Sequence, residues 1–433
     1  MKKHIIVIGG GIAGTAAAYH LKKKGYDITI LEKNNRLGGR IYSTKQGEIN
    51  VELGAGFLTR SYNTVLSFIK VKGLSRKLFA QHSNSGIILK NKFFSPASLF
   101  FSLTFFSKTL FIKLYLTVLL LWWRIDTKTP GQGAIFDTRS VTDIFRNIAD
   151  KQILEYIFQP ILNGYFFWTP EQTSQAMLLV IAKFLLRGGR YRLREGLQQI
   201  PEMAAKGCII LLGHTVTQVN LDNTGRYAIA VSQNSKTRSI HADGIVCAVT
   251  ASVVPHIFPD LEAKQKQFFS SIEYSSTVVV VQTYKQQLMM KNIALAIPRN
   301  EESALATITV VSEKRAPNTF FRTIKMYLPD KKYLDTSEAV IIKMVTERIT
   351  PIREVLLAHD AVLESTLVQR WKEAIPVFNK GSMNRLSIIV SEIEDLQQPL
   401  VFAGDYLEGP CIEWAFISGM QAAERLGKKL NDQ

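Results

Sequence analysis

The sequence predicts an α/β fold: a dinucleotide-binding domain beside a second, α+β domain with a mixed sheet and helices. Three observations predict it. An apolar strand, Lys2 to Ile8, runs into Gly9-Gly10-Gly11-Ile12-Ala13-Gly14 and then into an alanine-rich helix, Thr15 to Lys24. A second apolar strand, Asp27 to Leu31, ends on Glu32. The chain is also 433 residues long, more than a usual single domain, so two cores are expected.

Each of these elements has a physical reason. Gly9, Gly11 and Gly14 make GxGxxG: the first glycine permits a tight turn, the second lets backbone approach a pyrophosphate, and the third lets helix pack on strand. Ile12 and Ala13 complete that turn, and the helix N-terminus behind it faces the phosphates. Such a cradle holds NAD or FAD equally well. Glu32 lies about 20 residues beyond the glycines, where a carboxylate accepts hydrogen bonds from ribose hydroxyls; the bland reading is an exposed surface acid.

Composition is ordinary for a globular protein, but the formal charge is +17. That charge would suit nucleic acid, an anionic membrane surface or an acidic substrate, and no nucleic-acid motif supports the first. Cys208, Cys247 and Cys411 share no CxxC or Cys/His spacing, so neither a disulfide framework nor a metal site is expected. Reduced thiols in a cytoplasmic protein fit best. The N-terminal apolar strand is too short for a secretory signal and leads into a helix with no cleavage site after it.

Arg36-Leu37-Gly38-Gly39-Arg40 follows the second strand, and Glu52-Leu53-Gly54-Ala55-Gly56 comes soon after. This stretch resembles the superfamily of FAD-dependent amine oxidases, protoporphyrinogen oxidases and phytoene desaturases, whose second signature is RxGGR after the first βαβ unit. The resemblance implies an FAD site that includes Arg36, Gly38, Gly39, Arg40, Gly54 and Ala55. It also implies a Rossmann-type FAD domain assembled from discontinuous segments. These are 1–75, 188–256 and 385–433, with 76–187 and 257–384 forming the substrate domain.

Along the chain, 64–74 reads as a helix, and 82–94 as short strands joined by Asn84-Ser85-Gly86. Segment 93–123 concentrates Phe100, Phe101, Phe105, Phe106, Phe111, Trp122 and Trp123, broken by Lys108 and Lys113. Those lysines leave no uncharged run of the roughly 20 residues that a membrane span needs. Two readings stay open, core helices of the substrate domain or a monotopic surface on the inner face of a membrane; charge and aromatic density favour the second.

Val141 to Phe158 reads as a helix capped by Ser140 or Thr142. The run from Phe158 to Tyr165, then Thr169-Pro170-Glu171, resembles the family's substrate-domain motif, with Thr169 capping a helix that continues through Ala176 to Leu186. Tyr165 and Phe166 are candidates for a substrate wall, against a plain aromatic core. Gly188-Gly189 and the helix to Ala205 resemble the return to the cofactor domain. Strands then alternate, with a hairpin turn at Asn223-Thr224-Gly225. Val216-Thr217-Gln218-Val219 resembles the family's V-x-x-I segment, which implies backbone contact from Val216 to the adenine.

Val278 to Val281 is an unbroken β-branched run that suits a strand covered on both faces. In amine oxidases the matching strand carries a lysine that holds a water near flavin N5; here that place is Val279. The departure, with Glu52-Leu53-Gly54, leans away from amine oxidation and towards the protoporphyrinogen oxidase and desaturase branches. Arg370 to Pro376 resembles the family's RW-x-x-A-x-P run, which implies that Trp371 borders the flavin.

The strand Leu400 to Ala403, then Gly404-Asp405 and a helix from Glu413, resemble the C-terminal signature. It implies that Asp405 binds the ribityl chain, and that Ile412 and Glu413 present backbone to the flavin C2 carbonyl and N1. Trp414 replaces the usual glycine and reshapes the space over the flavin. Cys411 reads as a free thiol and not as a covalent flavin link. A second GxGxxG is absent, so electrons are expected from an organic substrate, with oxygen or a quinone as acceptor. No side chain, the seven histidines included, stands out as catalytic acid or base.

Overall fold

A computed structural model of the chain describes residues 2–120, 135–145, 151–186, 188–302, 304–394 and 398–431. The architecture is α/β, built on two large sheets. The first has five parallel strands in the order Ile209–Leu212, Asp27–Glu32, His4–Ile8, Gly244–Cys247 and Leu400–Phe402. Its strands therefore come from both ends and the middle of the chain. Apart from the edge strand Ile209–Leu212, where Ile209 and Ile210 are exposed, the runs are apolar and mostly buried because helices cover the sheet.

The first helix, Ile12–Lys23, and the C-terminal helix, Ile412–Asn431, pack against each other beside this sheet. Their seam is made of small residues: a β-carbon at Gly419 would sit 2.1 Å from the Ala13 carbonyl oxygen. Ala16, Ala17, Ala422 and Ala423 continue the contact, all at zero exposure.

The second sheet has seven strands, in the order Val362–Pro376, Tyr274–Gln286, Thr319–Leu328, Thr307–Ala316, Ile293–Ala296, Asn84–Leu89 and Lys92–Phe94. It is mixed, since Ile293–Ala296 pairs parallel with Asn84–Leu89 while its other pairs are antiparallel. The valine run behaves as its composition predicts. Val278 and Val280 enter one apolar cluster, and Val279 and Val281 the cluster on the opposite face. A separate three-stranded antiparallel sheet, Thr215–Leu221, Tyr227–Gln233 and Lys236–Ala242, turns at Asp222 to Arg226.

Three local expectations are corrected. Asn84-Ser85-Gly86 lies inside a strand, and the turn is Lys90-Asn91, both at positive φ (48 and 59°). The helix expected over 141–158 stops at Ile144; Ser140 caps it with a reciprocal bond to Asp143, and Phe145 leaves the helical region at φ −109°, ψ 51°. Helix resumes by Lys151–Ile153, passes through a wider π turn at Leu154–Phe158 and continues as Gln159–Phe166. Thr169 does not cap a continuous helix either. Pro170–Gln172 is a short 3₁₀ turn, Thr173 is extended, and Gln175–Leu186 is a separate helix.

The aromatic segment forms two helices, Pro96–Ser102 and Phe105–Leu120. Phe101, Phe105 and Leu120 are 75, 75 and 81 % exposed, and Phe106, Ile112, Leu116 and Leu119 are exposed beside them. No helix among the described residues is long and apolar enough to cross a membrane. Trp122 and Trp123 lie outside the described residues.

Candidate functional site

A cavity of about 2370 Å³ runs from the glycine turn to the face of the second sheet. At one end the glycine turn and the RxGGR loop are stitched together. Gly9 N–H donates to Leu31 carbonyl and Gly38 N–H to Gly10 carbonyl, each at 2.8 Å. Gly9 has φ +102°, and a β-carbon at Gly14 would lie 2.0 Å from the Gly9 carbonyl oxygen, so both positions exclude a side chain. A β-carbon at Gly11, by contrast, would meet nothing within 4 Å. Gly11 opens into the cavity beside Ile12 and Ala13. The leading N–H groups of the first helix have no intrahelical acceptor, and Gly11 offers no side-chain cap. An open glycine in front of orphan donors at a positive helix end fits a pyrophosphate.

Glu32 is 5 % exposed and not a surface acid. Its Oε2 accepts from Gly10 N–H at 2.7 Å, and Oε1 from the Asn34 backbone and side-chain amides at 2.8 and 2.6 Å. Oε2 keeps a lone pair for a further donor on the cavity side. Arg36 folds back to donate to the Leu37, Gly39 and Ile41 carbonyls and stacks 3.9 Å from the Tyr42 ring, bracing the loop while bordering the cavity.

The two ends of the chain meet at Arg40 and Asp405. Their bidentate pair spans 2.7 and 2.8 Å, and Arg40 Nη1 also donates to the Ala374 carbonyl at 3.0 Å. Burial lowers the Arg40 pKa, and Asp405, with Tyr274 and Glu373 beside it, more than offsets this, so the net change is upward. Ala55 N–H donates to the Arg40 carbonyl, which a β-carbon at Gly54 would approach to 2.0 Å. Trp371 reaches this corner through its indole N–H, 2.9 Å from the Leu53 carbonyl, and lines the cavity.

Gly38, Gly39, Gly404, Ile412, Val216, Tyr165, Phe166 and Trp414 also line the cavity. Gly14 and Glu413 do not. Gly14 serves the helix–strand packing, and the Glu413 carboxylate accepts from Thr64 and Val65 N–H at 2.7 and 2.9 Å, capping the helix Asn63–Val71. Cys411 is a free thiol, pushed up to about 12 by burial. Val279 is a buried valine on the wall. Two histidines, His82 and His214, border the cavity; His214 is held by the Leu212 carbonyl and Arg238. No metal-binding cluster occurs among the described residues.

Sequence reasoning missed the charged wall. Arg190 and Arg192, on the strand Arg190–Leu193, and Lys325, on Thr319–Leu328, all border the cavity. The one signal was alternation. Ile324, Met326 and Leu328 face a core, so Lys325 and Tyr327 must face the other way, and only the tertiary fold turns that side inward.

Burial, then neighbouring Arg192, pulls the Lys325 ammonium down to about 7, with Glu52 and Glu313 opposing. The unfolded chain, with an ordinary lysine near 10.5, therefore binds more protons than the folded one between pH 7 and 10.5, and stability rises with pH across that window. Lys325→Met is expected to raise the melting temperature more at pH 6 than at pH 10. The gain at pH 6 is on the order of 2 to 4 kcal/mol. An equal gain at both pH values in calorimetry would show that the depressed ionisation is not its source.

The model of the family described as flavin containing amine oxidoreductase matches residues 12–427, nearly the whole chain. The chain belongs to this family. It is therefore a flavin-dependent oxidase whose cofactor is FAD. It is 22 % identical to a coproporphyrinogen III oxidase of Bacillus subtilis (strain 168), covering 95 % of this chain and 94 % of that one. It is 23 % identical to the Homo sapiens protoporphyrinogen oxidase, covering 98 % of each. Among solved structures, cyclohexylamine oxidase from Brevibacterium oxydans IH-35A shares the fold with a TM-score of 0.76 at 16 % identity, over all of both chains. A CLA-producing fatty acid isomerase from P. acnes shares it with a TM-score of 0.74 at 16 % identity, over 98 % of each.

Proposed function

We propose that this enzyme oxidises a large hydrophobic substrate of the porphyrinogen type, with oxygen or a quinone as electron acceptor. The observation that carries the reading is the cavity. Its volume of about 2370 Å³ exceeds the roughly 300–1,000 Å³ of ordinary ligand pockets, which leaves room for a tetrapyrrole macrocycle beside FAD. Its far wall is aromatic: Phe57 meets Tyr165 edge-on at 6.1 Å, and Phe167 stacks on Tyr327 at 5.7 Å. The full-length similarity to two porphyrinogen oxidases supports the same substrate class. Val279, where amine oxidases have lysine, speaks against amine oxidation.

When bound, FAD supplies the hydride acceptor. The chain's residues do the rest. On this reading 1–75, 188–256 and 385–433 hold the cofactor, and 76–187 and 257–384 enclose the substrate. The glycine turn and Glu32 take the pyrophosphate and ribose, Val216 the adenine, and Arg40 with Asp405 the ribityl chain. The positive end of the C-terminal helix, at Cys411 and Ile412, favours negative charge on that wall. The aromatic chamber orients the substrate and excludes water.

Anaerobic mixing tests this directly. Protoporphyrinogen IX or coproporphyrinogen III is expected to bleach the visible flavin band within one turnover. Bleaching by amines or carotenoid precursors, with neither porphyrinogen active, would overturn the reading.

The exposed apolar face of Phe105–Leu120 supports peripheral contact with a membrane. Phe111 and Leu114 of the same helix border the cavity, while Lys108 and Lys113 interrupt its exposed surface, so an apolar substrate could pass from a lipid leaflet to the chamber. A variant carrying Phe105→Glu and Leu119→Glu is expected to lose most co-sedimentation with anionic liposomes. Unchanged binding would remove membrane contact from the proposal.

A further inference from the structure

We propose that the chamber contains an anion subsite, formed by Arg192 and Lys325 with Arg190 beside them, which takes a carboxylate of an otherwise apolar substrate. The inference rests on the reading that this cavity is the substrate site. The sheet face behind it also carries Glu313, on the neighbouring strand Thr307–Ala316. Lys325 sits between Thr323 and Tyr327 along its strand and lies across from Val281 and Thr309 on the strands either side. Its Nζ lies over Gly56, where a β-carbon would touch it at 3.4 Å.

These three cations outnumber the two carboxylates that face them, Glu52 and Glu313. Lys325 is 5 % exposed and makes no hydrogen bond or ion pair among the described residues. Arg192 is 7 % exposed; its Nη1 lies 3.5 Å from Glu313 and makes no hydrogen bond. Glu52, the other nearby acid, offsets part of the charge on Lys325, but its oxygens bond the Ser43 hydroxyl at 2.7 Å and the Leu197 N–H at 2.8 Å and not the lysine. Arg190 donates to the Tyr165 and Ser83 hydroxyls, which are neutral, so its charge is not cancelled. Buried unpaired charge is costly, and a carboxylate entering here relieves that cost while accepting from a guanidinium and an ammonium together. A protonated amine meets the opposite situation and is repelled. The site therefore selects against the amine substrates that the shared fold also accommodates.

The test uses the purified holoenzyme and two scaffolds: 4-phenylbutyrate, its methyl ester and 4-phenylbutylamine, and protoporphyrin IX with its dimethyl ester. Binding is read by calorimetry and by the shift of the flavin absorption band. Each acid is expected to bind about tenfold or more tighter than its ester, as charged hydrogen bonds imply, and the amine weakest of all. Lys325→Met and Arg192→Met should each bring the acid-to-ester ratio towards one while changing ester affinity little. Equal affinity of acids and esters for the unmutated enzyme, on both scaffolds, overturns the proposal. So does a full acid preference in a flavin-loaded Lys325→Met enzyme. Should a methionine variant fail to fold, Lys325→Arg decides in its place, with retained acid preference expected and its loss overturning the assignment. Acid preference without porphyrinogen turnover would sink the substrate reading but leave the subsite. Turnover without acid preference would do the reverse.

Discussion

A chain ending at Ala403 is expected to purify without flavin, even though its glycine turn is intact. The deletion removes Asp405, which pairs with Arg40 at 2.7 Å, and Ile412, which lines the cavity. It also removes the helix Ile412–Asn431, whose Trp414, Phe416, Ala422, Ala423 and Leu426 are each no more than 1 % exposed. The first helix would then expose the alanine face that Gly419 now approaches to backbone distance. Burial of a single large apolar side chain contributes about 1.5–3 kcal/mol. Losing several at once exceeds the 5–15 kcal/mol by which domains are stable, so aggregation is expected along with flavin loss. Soluble truncated protein with a normal flavin spectrum would show that the N-terminal segment binds FAD by itself.

Asp405→Ala is the sharper version of the same argument, because it leaves the fold's elements in place. The substitution strands the Arg40 guanidinium with the Ala374 carbonyl as its remaining acceptor. Breaking a buried pair from one side costs about 3–5 kcal/mol, and somewhat less here since the Arg40 side chain is 31 % exposed on the cavity wall. The variant is expected to retain less than a tenth of the flavin after desalting and to melt several degrees lower. Added FAD should restore only part of that loss. Asp405→Asn keeps hydrogen bonding but not the charge, so an intermediate affinity is expected. Equal flavin content in all three proteins, measured after identical desalting, would detach Asp405 from the cofactor.

The cofactor half was legible because its chemistry constrains backbone. Gly9 and Gly14 must lack side chains, because a β-carbon would run into the Ala248 carbonyl at the first and the Gly9 carbonyl at the second. The end of the second strand was legible too, and there the Glu32 carboxylate borders the cavity and accepts from Gly10 N–H. The Val278–Val281 run announced a strand with two buried faces, and the two core clusters on its opposite sides bear this out. Local pattern failed where continuity depends on neighbours. The residues 141–158 look like one helix, yet the chain leaves helix at Phe145, whose ring is buried against Phe158.

By itself, then, the sequence determined the α/β class and a dinucleotide cradle, while FAD and a site drawn from both chain ends were implied by its resemblance to a family. The class and the cradle are properties of turns, strand periods and glycines, which act within a few residues. Only the tertiary structure decided which face of the strand Thr319–Leu328 turns inward, and with it that Lys325 meets Arg192 inside a chamber. A strand alternates its side chains in either register, so a lysine between threonine and tyrosine reads as a solvent face until a second element covers it.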